Sequence, residues 1–276
     1  MLAALAFFSC SDAASKYLTR SLPAVEVTWL RYVFFAAAIF SVSLLTQQRA
    51  VLRARQPALQ VCRGLAVLGS ALLYITGLGF LPMAEATSIS FVAPIFVTAL
   101  SIPLLGETVG IRRWAAVIVG LIGALIVVRP GASALGAAAI FPALSAVSWA
   151  AALVITRKAG GSDRPITSLS YAALVGLAVT SLLVPFNWVT PGWTELLLGA
   201  VTGLASAVAQ WFVVLAFRTA RASVLAPISY SQLIWSCILG FFIFGDMPDS
   251  WTLVGACVII ASGVYTAHRE RVRSRL

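Results

Sequence analysis

Asp12 and Lys16 stand four residues apart in "SDAASKYLTR", Ser11 to Arg20, a stretch entered through apolar sequence that includes Phe7 and Phe8. On a helix this spacing puts both on one face, with the acid nearer the N-terminus, the favourable order for an intrahelical pair. Pairing lowers the cost of each charge in an apolar medium, and the pair is expected to face protein or water. Two roles fit it: a structural pair at the mouth of a cavity, with Lys16 free to snorkel to the surface, or a working site that meets a zwitterionic substrate or exchanges a proton.

A second group of residues is anomalous by depth. Trp149, Trp211 and Trp235, with Tyr74 and Tyr230, fall near the middle of apolar runs, where an indole N–H or a phenol O–H needs a partner or water. Trp29, Trp114, Trp188, Trp193 and Trp251 instead sit at the ends of such runs, as interfacial aromatics do. Small polar residues precede the mid-depth aromatics by one helical turn: Ser70 before Tyr74, Ser145 before Trp149, Ser231 before Trp235. Ser206 and Gln210 share that spacing beside Trp211, and Ser90, Pro94 and Thr98 line one stripe next to Phe91. Converging, these stripes would form an apolar cavity wall with a few hydrogen-bonding points, the composition of a small-molecule site. Each residue taken singly has an alternative role, since Ser, Thr and Gln also glue helices together in lipid. The recurrence of one depth on several helices favours the cavity.

The elements that position these residues are transmembrane helices. Of 276 residues, 61% are hydrophobic and 10% charged, with a mean hydropathy of +0.98, too apolar for a water-soluble fold of this size. About 20 apolar residues cross the hydrocarbon layer, and the sequence divides into ten such spans: Leu2 to Leu18, Val27 to Thr46, Leu59 to Leu81, Ala84 to Leu105, Trp114 to Val128, Gly136 to Thr156, Ile166 to Phe186, Glu195 to Phe217, Ser223 to Phe244 and Trp251 to Ala267. The start of the chain reads as a first span and not as a signal peptide, because it lacks a basic n-region. Cys10, Cys62, Cys237 and Cys257 lie in apolar runs without metal or disulfide spacing and read as small buried hydrophobes. No HExxH, GxxxxGK, GxSxG or GxGD motif occurs, and the single His268 sits in the tail, so metalloprotease, P-loop ATPase, serine-hydrolase and intramembrane aspartyl-protease readings fall away and no metal or cofactor is expected.

With the N-terminus in the cytoplasm, all but four of the 19 basic residues fall on the inner side, the exceptions being Lys16, Arg20, Arg31 and Arg129. An even number of spans then leaves both termini cytoplasmic. The net charge of +10 is spread over inner loops and the tail, where anionic lipid attracts it, and calls for no nucleic acid.

The sequence also resembles itself. Setting "LLGE" (Leu104 to Glu107) on "IFGD" (Ile243 to Asp246) places Phe91 on Tyr230 and makes spans four and nine equivalent. Five spans per repeat is an odd number, so residues 1–131 and 132–276 would be inverted relative to each other, the architecture of alternating-access transporters with a midplane site. Pro94, Pro103 and Pro227 lie within the equivalent spans, as gating hinges or as fixed kinks. Gly199, Gly203 and Ala207 form a close-packing stripe.

The segments "FVAPIFVTALSIPLLGETVGIRRWAAVIVGLIGALIVVRPG" (Phe91 to Gly131) and "ASVLAPISYSQLIWSCILGFFIFGDMPDSWTLVGACVIIASGVY" (Ala222 to Tyr265), with "DAASKYL" in the first span, resemble the EamA-type members of the drug/metabolite transporter superfamily. That resemblance implies ten helices around a central cavity lined by spans one, three, four, six, eight and nine, and within the superfamily the likeness points to exporters of aromatic amino acids. The expected function is therefore export of small amphiphilic metabolites, aromatic or apolar amino acids foremost, across a bacterial inner membrane by a monomer. Trp149, Trp211, Trp235, Tyr74 and Tyr230 would shield the side chain, Ser and Gln groups would meet the polar end, and Asp12 would carry any exchanged proton. An importer or exchanger of nucleotide sugars or organic phosphates would need basic residues in the cavity, and beyond Lys16 none is expected deep in a span. A non-transporting scaffold would need no inverted repeat.

Overall fold

A computed structural model describes residues 1–45, 52–106, 111–128, 137–159, 163–219 and 231–273. Regular structure in these segments is helical: α1 (Leu2–Leu18), α2 (Ala24–Leu45), α3 (Pro57–Leu78), α4 (Met83–Ser90), α5 (Ala93–Leu105), α6 (Ile111–Val128), α7 (Ile140–Lys158), α8 (Pro165–Leu183), α9 (Trp193–Thr219), α10 (Ser231–Leu239) and α11 (Ser250–Arg273). Among the described residues, six stretches are long and apolar enough to cross a membrane: Ala24–Leu45, Pro57–Leu78, Met83–Leu105, Ile140–Lys158, Pro165–Asn187 and Trp193–Val213. Shorter apolar stretches include Ile118–Val127, Ser231–Phe244 and Ser250–Ser262. This is a multi-pass membrane fold.

The run expected as a fourth span is broken into α4 and α5 at Phe91 and Val92, with Pro94 in the first turn of α5. Proline is tolerated there because the first-turn N–H groups have no intrahelical acceptor. Ser90 and Thr98 thus lie on different helices, so the continuous stripe expected through Pro94 is interrupted. Pro103 sits inside α5 without ending it, while Pro227 lies outside the described residues. A second irregularity follows α10, which passes into a π-helical turn, Gly240–Phe244, closed by Gly245.

Gly106 and Gly245 adopt left-handed backbone, at φ 69° and 72°. Each occupies the third position of the two segments that the sequence aligns, and each caps a helix with a conformation that costs residues with a Cβ more.

The pairs α2 with α8 and α6 with α11 run antiparallel, whereas α2 and α9 run parallel, Leu30 facing Gly199 and Phe34 facing Gly203. On α2 and α8, Trp29 Nε1 donates to Ser181 Oγ at 2.9 Å while, further along, the Tyr32 ring lies against Gly176. On α6 and α11, a Cβ at Gly120 would meet Ser262 Oγ, one at Gly123 would meet Ile259, and one at Gly255 would meet Val127. Between α2 and α9 a Cβ at Gly203 would come within 2.7 Å of Arg31 O and 2.9 Å of Phe35 N, so the expected close-packing stripe does bring two backbones together.

The largest apolar cluster gathers Leu78, Met83, Ile89, Val92, Val127 and Ile259, with Tyr74, Phe91 and Trp149 packed against it. Outside the bundle, Leu197, Val201, Leu204, Val208, Trp211 and Leu215 make one exposed apolar stripe along α9, as a lipid-facing side requires. The cysteines depart from expectation: Cys10, Cys62 and Cys257 are exposed and Cys237 is only partly buried. Their apolar setting is equally well met by lipid, which sequence hydropathy does not distinguish from a protein core.

Candidate functional site

The centre of the site is α1, whose polar residues divide between two neighbours. Ser11 and Ser15 face α9: Ser11 Oγ lies 2.9 Å from Thr202 Oγ1 and 2.8 Å from Ser206 Oγ, and Ser15 Oγ lies 2.7 Å from Thr202 Oγ1. Four hydroxyls one turn apart on each helix satisfy one another there, which seats α1 firmly on α9. Asp12 and Lys16, rotated by one residue, meet the α10 side instead. Gln232 Nε2 donates to Asp12 Oδ2 at 3.4 Å, and Lys16 Nζ donates to Asp246 Oδ2 at 2.5 Å.

The expected Asp12–Lys16 pair is therefore not formed. Lys16 is drawn outward to Asp246 because that carboxylate, held in the turn after α10 by Asp246 N–H donation to Gly240 O, approaches the end of α1 directly. Phe244 adds its ring face 4.8 Å from Lys16 Nζ, and Arg20 lies over the same ring at 5.1 Å. Asp12 is left 5% exposed, with no cation within ion-pair distance among the described residues. Ser231 Oγ, on the residue preceding Gln232, is buried without a hydrogen-bond partner. Arg31 of α2 acts on Asp12 electrostatically from beyond contact.

Tyr74 is the aromatic near this acid. It feels the Asp12 charge, and its hydroxyl lies 2.9 Å from Thr87 Oγ1, which in turn lies 2.9 Å from Ser236 Oγ. That chain ties α3, α4 and α10 together through a polar line at the apolar cluster holding Tyr74, Phe91 and Trp149. One turn earlier on α3, Ser70 and Ser145 pair at 3.0 Å, with Ser145 Oγ also donating to Ser70 O at 2.8 Å.

Tyr74, Phe91 and Trp149 pack against one apolar cluster that also holds Ala13, the residue after Asp12. Ser70 and Ser145 join α3 to α7, and Ser231 lies beside the Asp12 partner. Gln210 is buried one turn beyond Ser206 on α9. Ser90 is turned inward on its own helix, donating to Ala86 O at 2.9 Å. Trp211 belongs to the exposed stripe of α9, and Trp235 is 37% exposed beside Ile234 and Ile238. Tyr230 and Glu107 lie outside the described residues.

Several polar residues of this region escape sequence inspection: Thr87, Thr202, Gln232, Ser236 and Arg31. Thr202 repeats the four-residue spacing of Ser206 and Gln210, the one signal that pointed to it. Arg63, in the second turn of α3 and so near a helix end, is nevertheless buried. It donates from Nε to Thr156 Oγ1 at 2.9 Å and from Nη1 to Ser168 O at 3.1 Å. Among the described residues, no group of three His, Cys, Asp or Glu side chains is placed to hold a metal ion.

The fold is an all-helical, multi-pass membrane bundle. The chain belongs to the EamA-like transporter family, within the drug/metabolite transporter superfamily; the family profile matches residues 1–129 and 136–266. An S-adenosylmethionine uptake transporter of Rickettsia felis is 30% identical over 270 residues, covering 98% of this chain and 92% of the relative. A riboflavin transporter of Rhizobium johnstonii is 30% identical, covering 100% and 91%, and a pseudopaline exporter of Pseudomonas aeruginosa is 30% identical, covering 98% and 96%. A solved crystal structure superposes with a TM-score of 0.70 at 20% identity, covering 98% of this chain and 97% of the other, and it supports the fold. The protein is a transporter and not an enzyme.

Proposed function

We propose that this transporter carries small amphiphilic metabolites that join an aromatic or apolar body to an amino-acid end, across a bacterial inner membrane, by alternating access. Asp12 carries the proposal: a carboxylate buried in the bundle, served by one amide at 3.4 Å and by no cation at ion-pair distance among the described residues. A buried charge left in that condition is costly unless function retains it. The ammonium of an amino-acid end supplies the missing charge and up to three N–H donors. Tyr74, Phe91 and Trp149 receive the apolar body, with the ring faces favouring flat substituents.

Aromatic amino acids have this chemistry, and so does S-adenosylmethionine, whose methionine end and adenosyl ring sit at opposite ends of one molecule. The named relatives include both uptake and export proteins, and the direction expected from sequence, export, belongs to this proposal. A phosphate-bearing substrate fits less well, because Arg63 is committed to Thr156 and Ser168 and the field of Arg31 falls on Asp12.

The architecture proposed with it is two inverted halves, residues 1–131 and 132–276, and ten spans, α4 with α5 making one and α10 with its π-turn another. Support comes from the two matched segments, the antiparallel pairs α2 with α8 and α6 with α11, and the left-handed glycines at equivalent caps. Cytoplasmic termini are supported by the end of the bundle that collects Arg53, Arg55, Arg157, Lys158 and Arg164 about Asp163, against Lys16 and Arg20 at the other end.

Uptake into proteoliposomes of labelled S-adenosylmethionine, L-tryptophan and riboflavin tests the substrate class. Movement of either of the first two, competed by the other, is expected. Movement of riboflavin alone, which has no amino-acid end, overturns the role given to Asp12.

A further inference from the structure

Lys16 has two carboxylates within reach of its flexible stem and is using one of them. Asp246 holds it now, at 2.5 Å, across the gap between the end of α1 and the turn after α10. Asp12 lies one turn back on the same face of α1, about 6 Å along the helix axis, in the favourable i, i+4 order. The two acids differ in what remains when Lys16 departs. Asp246 is 30% exposed and is solvated without its partner, whereas Asp12 is buried and is not.

The outer partner is also the movable one. Asp246 rides on Gly245, in left-handed backbone, at the end of a π-helical turn that begins at Gly240, and it is fixed there by its N–H donation to Gly240 O. π-turns and flanking glycines are places where a helix end can change its backbone path with little steric cost. By contrast α1 is clamped along its length to α9 by the hydroxyls of Ser11, Ser15, Thr202 and Ser206.

We propose that Lys16 is a charge-swap residue: paired with Asp246 it closes this end of the bundle and leaves Asp12 free for the ammonium of the substrate, and when Asp246 swings away Lys16 turns back onto Asp12 and displaces that ammonium. This deepens the function proposed above and rests on it for the identity of the displaced cation, but the swap itself concerns three side chains of the protein alone. A merely structural bridge makes a different prediction, because loss of either partner then has one and the same effect. Under the swap, Asp246→Asn sends Lys16 to Asp12 and occupies the site, while Lys16→Met leaves the site permanently vacant of lysine.

The test is labelling of Asp12 by dicyclohexylcarbodiimide, which enters apolar sites and modifies carboxyl groups not tied in ion pairs, read by mass spectrometry on purified full-length protein. It needs no substrate, so its failure is separate from failure of the transport assay. Wild type and Lys16→Met are expected to label alike, Asp246→Asn to label about fivefold less, and the double variant Asp246→Asn with Lys16→Met to recover. Equal labelling of Asp246→Asn and wild type overturns the swap, as does failure of wild type to label while Lys16→Met labels. If Asp246→Asn does not fold, Asp246→Ser carries the same expectation, and intact folding is read from monodispersity in detergent.

Discussion

Lys16 Nζ and Asp246 Oδ2 lie 2.5 Å apart although 230 residues separate them in sequence, and their contact joins the last turn of α1 to the turn that follows α10. The acid that sequence spacing assigns to Lys16 is left for another partner. Because Asp246 is 30% exposed, water screens the bridge, and its static contribution is about 1 kcal/mol. Asp246→Asn is therefore expected to lower the melting temperature in detergent by only a few degrees, an effect that shrinks in high salt. A large, salt-independent loss would show that the bridge is structural first.

The hydroxyl chain Tyr74–Thr87–Ser236 predicts an asymmetry. Tyr74→Phe removes one end and leaves the 2.9 Å Thr87–Ser236 contact in place, for a cost of about 1 kcal/mol. Thr87→Val removes the middle and strands buried groups on both α3 and α10, costing about 2–3 kcal/mol. Thermal or denaturant unfolding of the two variants in one detergent checks the order.

Two glycines of α9 separate close packing from ordinary packing. A Cβ at Gly203 meets Phe34 Cβ at 2.5 Å and the α2 backbone at 2.7 Å, whereas at Gly199 the nearest atom is Leu30 Cβ at 3.1 Å. Gly203→Ala is expected to destabilise by about 3 kcal/mol and Gly199→Ala by about 1 kcal/mol. Comparable yields of monodisperse protein from both variants would contradict this.

The all-helical membrane character of the fold was legible because one physical rule, the length of apolar sequence needed to cross lipid, marks out membrane helices. The small-residue stripe of α9 was legible for a similar reason: it depends on the absence of a side chain, which the sequence states outright. The site was legible only in part. Depth and turn spacing single out Tyr74, Trp149, Ser70 and Ser145 but do not foretell the hydrogen bond between the two serines, and the same rule selects Trp211, which is exposed in line with Leu204, Val208 and Leu215. Hydropathy cannot separate a lipid-facing aromatic from a cavity-facing one, because both sit at mid-depth in apolar runs. The partner of Lys16 was hidden for another reason: the i, i+4 rule sees only one helix, and the competing acid arrives from a turn more than two hundred residues away.

Arg63 links three helices through Thr156 and the Ser168 carbonyl, and no carboxylate pairs with it among the described residues. Arg63→Lys cannot reproduce two donors in a fixed fork. It is expected to cost about 2 kcal/mol of stability while leaving the substrate-binding step unchanged, checked by unfolding and by binding of labelled S-adenosylmethionine side by side. A selective loss of binding would bring Arg63 into the substrate site.

The most direct measurement compares wild type and Asp12→Asn, reconstituted at equal density, for uptake of S-adenosylmethionine and L-tryptophan into proteoliposomes. Asparagine keeps the size of the side chain and its contact with Gln232 but removes the charge that meets an ammonium. Transport is expected to fall at least about a hundredfold, the loss of one charged contact of about 3 kcal/mol, while the purified variant remains monodisperse. Unchanged transport by Asp12→Asn would contradict the assignment of the buried carboxylate as the substrate's partner.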